Sequence, residues 1–322
     1  MLTIALPSKG RLKQDTENYF RSIGLHIKTD GGGRDYQGYF ADLPNHQILF
    51  LQASEIARRL ADGSIDVGVT GLDLMAENQA LETVFTFKKL DFGYADLVFT
   101  VPETWIDVQS MRDIDDITFF FRKTHGIRFR VATKYLNLTA EFLKKHGIKD
   151  YRLVESQGAT EGAPAAGIAE AVVDITSTGS TLKANALKII PDGVMLKSQA
   201  LFMGSLTARW TDSKKDVLKH ILDYIMAHKR AQLLKLVHGH FAESMKSDIL
   251  EILLSVKAQD IDLSETNFRC LIEHHKIDSF SHVLRSTGVE SLIVSDVSHV
   301  YRTECHVYDE FSEKIDNVLE HS

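Results

Sequence analysis

The chain has few cysteines, no long apolar run and no excess of positive charge. Its 322 residues include two cysteines, Cys270 and Cys305, without the C-x-x-C spacing of a zinc knuckle. We interpret them as reduced structural thiols and predict no disulfide framework. No segment approaches the roughly 20 apolar residues that span a bilayer. Lys9, Arg11 and Lys13 follow only a few apolar positions, so we expect no signal peptide, a cytoplasmic location and no membrane partner.

The charge and the missing nucleotide motifs narrow the classes of ligand. A formal net charge of -7 argues against a nucleic-acid partner, because such surfaces need clustered positive charge. It does not exclude phosphate ligands, which backbone N–H groups and a few basic side chains can hold locally. Neither G-x-x-x-x-G-K-[ST] nor G-x-G-x-x-G after a strand occurs in the chain. The sequence therefore argues against a P-loop kinase and a Rossmann dehydrogenase.

The composition is that of an ordinary globular protein, with 44% hydrophobic and 25% charged residues, and the length predicts two or three domains. Apolar runs of strand length alternate with helical periodicity up to residue 210, which predicts an α/β fold. Strand signals lie at 2–6, 47–51, 65–70, 96–101, 129–132, 171–175, 189–190 and 194–196, and helical signals at 16–23, 54–60, 139–146 and 162–171. We interpret the acidic stretch 103–116 as a crossover into a second α/β unit.

From residue 211 the pattern becomes strongly helical, with Val217, Ile221 and Ile225 on one helix face. A second helix at 244–256 is followed by a strand at 267–273, a helix at 278–286 and a strand at 291–294. We expect a C-terminal α+β domain over 211–322, whose role the sequence leaves open. Its paired histidines have no zinc-ligand spacing and predict polar surface rather than metal. They are His238, His240, His274 and His275.

The most informative segment is VVDITSTGSTLKAN at 172–185, where a buried strand ends in an acid and a Ser/Thr/Gly loop opens a helix. Successive N–H groups of such a loop can point at one anion, and Gly179 lets the ligand approach closely. Asp174 is placed to bind ribose hydroxyls or a magnesium-bound water. The alternative is an ordinary capped helix after a strand. Phosphoribosyltransferases use this arrangement for the 5-phosphate of phosphoribosyl pyrophosphate (PRPP), although most carry two adjacent acids where this chain has Val173 and Asp174.

Five blocks of sequence resemble the ATP phosphoribosyltransferase family, which catalyses the first step of histidine biosynthesis. They are IALPSKGRL, DVGVTGLDLMAE, LDFGYADLVFTVP, VATKYLNLT and VESQGATEGAPAAGIAEAVVDITSTGSTLKANALKII, in the family's order over about the first 205 residues. The form ESQGATEGAPAAG resembles the α-proteobacterial branch. The resemblance implies magnesium-dependent transfer of phosphoribosyl from PRPP to N1 of ATP. It also implies a catalytic portion with two lobes, like type II periplasmic binding proteins, and substrates in the cleft between them.

The same resemblance implies domain boundaries and residue roles. Lobe I would comprise 1–102 and 188–210, and lobe II, with the PRPP loop, 103–187. The PRPP residues would be Asp174, Thr176, Ser177, Thr178, Gly179, Ser180 and Thr181, the ATP residues Gly71, Asp73 and Lys134, and the catalytic residues Asp174, Glu161, Lys9 and Arg11. Mg²⁺ would be bound mainly through PRPP and pyrophosphate, without a dedicated protein site. The alternatives are a first-turn helix acid at Glu161, solvated bases at Lys9 and Arg11, and a plain turn at Gly71.

Partners and rival functions follow from the family as well. Long members end in a ferredoxin-like domain that binds histidine, and short members depend on a regulatory subunit similar to histidyl-tRNA synthetase. The tail 211–322 matches neither form in length and motifs. We interpret its 267–294 piece as half of such a domain, or the whole tail as an element for oligomerisation or for docking a partner. We expect a homo-oligomer, with that subunit and L-histidine as candidate regulators. The rival functions are a non-catalytic anion sensor and a phosphoribosyltransferase with another acceptor.

Overall fold

We describe the protein from a computed structural model, which describes residues 1–29, 36–156 and 158–320. The chain forms two compact units. The first comprises Met1–Tyr19, Ile27–Lys214 and Glu313–Ser322, and the second comprises Phe20–His26 and Lys215–Ser312. Among the helices in the described ranges, none has both the length and the apolar character needed to cross a membrane.

The described residues form strands and helices that alternate along most of the chain. The strands are β1 (Leu2–Pro7), β2 (Ile27–Thr29), β3 (Gln37–Phe40), β4 (His46–Leu51), β5 (Val67–Gly71), β6 (Val84–Lys89), β7 (Ala95–Pro102), β8 (Phe129–Thr133), β9 (Tyr151–Glu155), β10 (Ala171–Thr176), β11 (Leu187–Ser198), β12 (Ala200–Ser205), β13 (Leu234–His240), β14 (Gln259–Leu263), β15 (Asn267–Glu273) and β16 (Ser291–Asp296). The helices are α1 (Gly10–Ser22), α2 (Ala53–Ala61), α3 (Leu72–Glu77), α4 (Met111–His125), α5 (Leu136–Lys145), α6 (Ser180–Ala184), α7 (Asp212–Leu233), α8 (Lys246–Ser255), α9 (Ile277–Thr287) and α10 (His306–Glu320).

The first lobe of the first unit is built on a seven-stranded mixed sheet in the order β2-β3-β4-β1-β5-β12-β6. Its centre is parallel, with β1 between β4 and β5, and the outer strands are antiparallel. Central parallel strands are covered on both faces and need mostly apolar residues, and in β1 every residue except Thr3 is apolar and buried. Ile56 and Leu60 of α2 pack over the sheet with Ala5, Met75 and Met203.

The second lobe is built on a five-stranded sheet in the order β11-β7-β10-β8-β9. Strands β8, β9 and β10 are parallel, whereas β7 and β11 run antiparallel to their neighbours. Phe99, Phe129, Val131, Leu143 and Val173 form the centre of its core. The expected two-lobed α/β fold of the catalytic portion is therefore confirmed. The chain crosses between lobes twice, between β6 and β7 and between β11 and β12.

The lobe boundaries differ from those expected at 102 and 188. Strand β7, assigned to the first lobe, pairs with β10 and β11 in the second sheet. Strand β11 also belongs to the second sheet, and only β12 returns to the first. The boundaries thus fall at about residues 90 and 199. The reason is tertiary, because an apolar strand such as DLVFTV carries no local signal of which sheet it joins.

Two local predictions are also corrected. The crossover expected over 103–116 contains the start of α4, which a capping box between Ser110 and Asp113 nucleates. The helix expected over 162–171 is a 3₁₀ turn at Thr160–Gly162 followed by turns. Gly167, with φ of +67°, ends the helical geometry before a full helix forms.

The second unit contains a four-stranded antiparallel sheet in the order β14-β15-β13-β16. The succession β13-α8-β14-β15-α9-β16 is the βαββαβ pattern of ferredoxin-like domains, so the half-domain interpretation was wrong. Strands β13 and β14 were missed because β13 follows α7 without a turn residue and β14 (QDIDL) is polar. Phe268, Phe280 and Leu253 lie in its core. Cys270 and Cys305 are buried free thiols, as expected.

Candidate functional site

The phosphate loop joins β10 to α6 at the side of the second sheet where the carboxyl end of β10 lies. Gly179, the residue before α6, has φ of +73°, a left-handed conformation that side chains disfavour. Its N–H donates a hydrogen bond to Oγ1 of Thr176 at 2.9 Å, which closes the turn at the end of the strand. The loop is thereby held in one shape by its own residues.

The donors of this loop point outward from a surface that is mostly exposed. Ser177, Thr178, Ser180 and Thr181 are exposed, and the Oγ1 atom of Thr178 lies 2.9 Å from Oγ of Ser180. The first N–H groups of any helix have no intrahelical acceptor, and here the first helical bond runs from Lys183 to Gly179. The N–H groups and hydroxyls before that bond can therefore converge on one anion.

Asp174 lies at the carboxyl end of β10 beside Lys134, which follows β8. The ammonium of Lys134 is 3.9 Å from Oδ1 of Asp174, and the Asp174 side chain is only 18% exposed. Burial raises the pKa of Asp174; the Ile175 N–H and Lys134 act to lower it, and the charge of Glu161 raises it further. Two parallel strands thus bring an acid, a base and the phosphate loop to one edge of the sheet, with Glu161 close enough to act electrostatically.

Asp73 is buried, with 5% exposure, and each oxygen of its carboxylate accepts a hydrogen bond. Tyr135 donates its hydroxyl to Oδ2 at 2.6 Å, and Ser198 donates its hydroxyl to Oδ1 at 2.7 Å. Burial, and then the Asp73 carboxylate, raise the pKa of Tyr135, so this phenol stays protonated and donates. Asp73 lines the cleft and its carboxylate also joins the two lobes, while its expected contact with ATP stays a prediction.

Gly71 lies where an added side chain would collide with the Asp73 carboxylate. Its backbone has an ordinary φ of -79°, so no conformational need selects glycine. An added Cβ would lie 2.2 Å from Oδ1 of Asp73, which makes room for that carboxylate the actual requirement. Gly71 therefore leaves room for the Asp73 carboxylate and also lines the cleft.

The cleft between the two lobes has a volume of about 510 Å³, within the usual range for a small-molecule site. The first lobe and the crossover contribute Arg11, Leu12, Asp15, Gly71, Asp73, Leu74, Asp91, Phe92, Gly93 and Tyr94, and the second lobe and the return strand contribute Ala95, Lys134, Tyr135, Ile175, Ser177 and Ala200. Of the predicted site residues, the cleft brings together Arg11, Gly71, Asp73, Lys134 and Ser177. Lys9 is exposed in the turn before α1 and lies outside this lining set of described residues, as do Glu161, Asp174, Thr176 and residues 178–181.

Four functional candidates were not predicted individually from the sequence, namely Tyr135, Ser198, Phe92 and Tyr94. Tyr135 lies in the block VATKYLNLT, and Phe92 and Tyr94 lie in the block LDFGYADLVFTVP. Both blocks carry the family resemblance, which could have marked these three residues as candidates. Ser198 lies outside those blocks, at the end of β11, and only the fold brings it to Asp73.

The acids at this edge suit a magnesium ion that arrives with a ligand. Mg²⁺ is usually held by one or two carboxylates together with substrate phosphates and water. Asp174 is half-buried, and the charge of Glu161 acts on it. These two side chains supply two such carboxylates. In the ranges that the structure describes, no three His, Cys, Asp or Glu side chains converge into a metal-binding group. The residues present therefore fit an ion held partly by a phosphorylated ligand.

Comparisons with known proteins identify the family of the chain. A family model described as ATP phosphoribosyltransferase (HisG) matches residues 52–227. An ATP phosphoribosyltransferase of Bradyrhizobium diazoefficiens is 50% identical over 242 residues, covering 74% of each chain. One from Rhodopseudomonas palustris (strain HaA2) is 50% identical over 241 residues, again covering 74% of each. The ATP phosphoribosyl transferase (HisG:HisZ) complex from Thermotoga maritima, at 22% identity and a TM-score of 0.54, covers 70% of this chain and 96% of that one, which shows a common fold.

Proposed function

The chain belongs to the ATP phosphoribosyltransferase family, and from that premise we propose how its cleft divides the two substrates. The enzyme catalyses the first step of histidine biosynthesis, in which N1 of ATP takes the phosphoribosyl group of PRPP and pyrophosphate leaves. We assign the loop 176–181 to the 5-phosphate of PRPP and Asp174 to the ribose hydroxyls. The facing wall, with Gly71 and Asp73, is assigned to ATP.

The observation that carries this assignment is the order of groups along one sheet edge. PRPP bears a phosphate at one end of its ribose, hydroxyls in the middle and pyrophosphate at the other end. The phosphate loop follows Asp174 directly in the chain, and the ammonium of Lys134 lies 3.9 Å from Asp174, so we place the 5-phosphate on the loop side of Asp174 and the pyrophosphate on the Lys134 side. This order supports moving Lys134 from the ATP side to the PRPP side of the site.

The chemistry requires orientation and charge stabilisation more than proton transfer. N1 of adenine is a neutral ring nitrogen with a free lone pair, so no strong general base is needed. Negative charge grows on the leaving pyrophosphate, and Lys134 and Arg11 are the cleft cations that can stabilise it. Asp174 fixes the ribose so that C1 faces the nucleophile. Lys9 stays a prediction as a further phosphate contact.

A magnesium ion bound with PRPP would neutralise charge on the pyrophosphate as a Lewis acid. Asp174 and Glu161 are the residues that would hold it, directly or through water, with the phosphates as its main ligands. Phe92 and Tyr94 line the cleft where the chain crosses between lobes, and we assign them to the adenine face.

The second unit is proposed as the regulatory part. Its βαββαβ order supports this reading, because the expected histidine-binding domain of long family members is ferredoxin-like. We therefore propose that the chain works without an obligatory partner, that L-histidine inhibits it, and that the synthetase-like subunit is dispensable. We also propose a cytoplasmic location, where both substrates are made.

The test is formation of phosphoribosyl-ATP by the purified chain alone, from ATP, PRPP and Mg²⁺, with pyrophosphatase present and the product read by its ultraviolet absorbance. We expect the chain to turn over without a partner, and we expect this activity to decline on titration with L-histidine. Turnover that appears only with the synthetase-like subunit would overturn the proposal of independence.

The residue assignment is tested in the same assay with Asp174→Asn. We expect kcat/KM to fall by about 100-fold or more, with loss of PRPP affinity. Asp150→Asn, a surface acid paired with Arg122 outside the cleft, is the control and should keep its activity. Equal activity of both variants would contradict the assignment of Asp174.

A further inference from the structure

Two adjacent phenylalanines lie exposed at the middle of α4. Phe119 and Phe120 are 59% and 60% exposed, and their rings meet edge to face with centroids 5.6 Å apart. An exposed pair of large apolar side chains on one helix is unfavourable in water and marks an interaction surface.

The lobe itself does not need these two rings. The inward face of α4 is supplied by Met111, Ile114 and Thr118, which are buried, while Phe121 packs against Phe129. The inward face of α4 therefore already packs against the lobe. Phe119 and Phe120 on its outer face are not needed for that packing.

The charges on either side of the phenylalanines have opposite signs. Asp115 and Asp116 precede them and are exposed, whereas Arg122 and Lys123 follow them and are exposed. Arg122 bonds to Asp150 within the same lobe, which leaves Lys123 as the basic group best placed for another molecule. Along its outer face, α4 thus presents acidic, then aromatic, then basic side chains in chain order.

We propose that this outer face of α4 is an interface with the α4 of a second copy of the chain, packed antiparallel about a two-fold axis. Asp116 and Lys123 each lie three and a half residues from the midpoint between Phe119 and Phe120, or about 5 Å along the helix axis. In an antiparallel pair, Asp116 of each copy therefore meets Lys123 of the other. Phe119 of each copy meets Phe120 of the other at the centre, as a closed two-fold interface requires.

The arrangement favours self-association over other occupants. A parallel pair would bring Asp116 against Asp116 and Lys123 against Lys123, and like charges in contact are repulsive. A partner of different sequence gives no reason for the acidic and basic residues to be equidistant from the aromatic centre. The four rings would form the apolar centre of the interface, and the charges would set its direction.

The first test measures the mass of the full chain by sedimentation over a range of concentrations. The double variant Phe119→Ser with Phe120→Ser should raise the dissociation constant of the dimer by more than about tenfold, with unchanged circular dichroism. Ile106→Ser removes an apolar side chain that is 72% exposed in the same lobe, and should leave the mass unchanged. A wild-type monomer at every concentration, or equal masses for wild type and the double variant, would overturn the proposal.

The second test distinguishes self-pairing from any other contact. Asp116→Lys alone and Lys123→Asp alone each place like charges opposite one another, and each should weaken the dimer about tenfold. The combined variant restores both pairs with reversed sign and should return to within about twofold of wild type. Additive weakening in the combined variant would overturn antiparallel self-pairing. So would variants that leave the mass of the chain unchanged but abolish binding of a synthetase-like subunit.

Discussion

Tyr135 and Asp73 join the two lobes, with the tyrosine hydroxyl 2.6 Å from the carboxylate. Tyr135 follows β8 of the second lobe, and Asp73 lies in the first turn of α3 in the first lobe. Ser198, at the second crossover, binds the other carboxylate oxygen at 2.7 Å and also accepts a hydrogen bond from the Asp73 N–H at 3.0 Å. A buried carboxylate thus holds both lobes and a crossover beside the cleft.

Tyr135→Phe is expected to destabilise the first unit. The substitution keeps the ring and leaves one oxygen of a buried carboxylate without its donor, which costs about 1–3 kcal/mol of unfolding free energy. Urea denaturation measures this cost. Tyr151→Phe, in β9 of the same lobe, is the control and should change stability by less than about 0.5 kcal/mol. Equal effects of the two variants would mean that the contact between Tyr135 and Asp73 is not stabilising.

Asp174→Asn is expected to stabilise the protein at neutral pH while it removes activity. Burial raises the folded-state pKa of Asp174, so its contribution to stability is present below the unfolded pKa and is lost as pH rises through the folded pKa. The neutral amide avoids that loss, and the melting temperature should rise by about 1–3 °C at neutral pH. The gain should shrink as the pH falls, because the wild-type carboxyl then also becomes protonated. A gain independent of pH, or a loss at neutral pH, would show that burial of the charge is not the cause.

The parts of this site that depend on local sequence could be predicted, and the parts that depend on distant pairing could not. The phosphate loop follows from one segment, VVDITSTGST, in which strand, acid, glycine and hydroxyls are consecutive. The role of Asp73 depends on Tyr135, 62 residues away, and on Ser198, 125 residues away. Sheet membership of β7 is similarly non-local, since its largely apolar run fits the sheet of either lobe.

Gly179→Ala tests whether the left-handed turn shapes the phosphate loop. An alanine at φ of +73° is strained by about 1 kcal/mol, and relief of that strain would reshape the N–H groups aimed at the phosphate. We expect the KM for PRPP to rise about tenfold with a smaller change in the KM for ATP. Gly126→Ala, at φ of +70° after α4, carries the same strain far from the loop. It should lower stability alone, and a similar rise in its KM would attribute the effect to general destabilisation.

Lys134→Met tests the pairing of acid and base at the sheet edge. Lys134 lowers the pKa of Asp174, so its removal should raise that pKa further. If the ionised carboxylate binds the ribose, the acidic limb of the pH profile of kcat/KM then moves to higher pH, because Asp174 loses its proton later. The KM for PRPP should also rise, since a cation beside the leaving group is lost. Lys144→Met, an exposed lysine on α5, is the matched control and should keep the wild-type pH profile. A loss of activity in Lys134→Met without movement of the acidic limb would leave Lys134 as a phosphate contact and refute its coupling to Asp174.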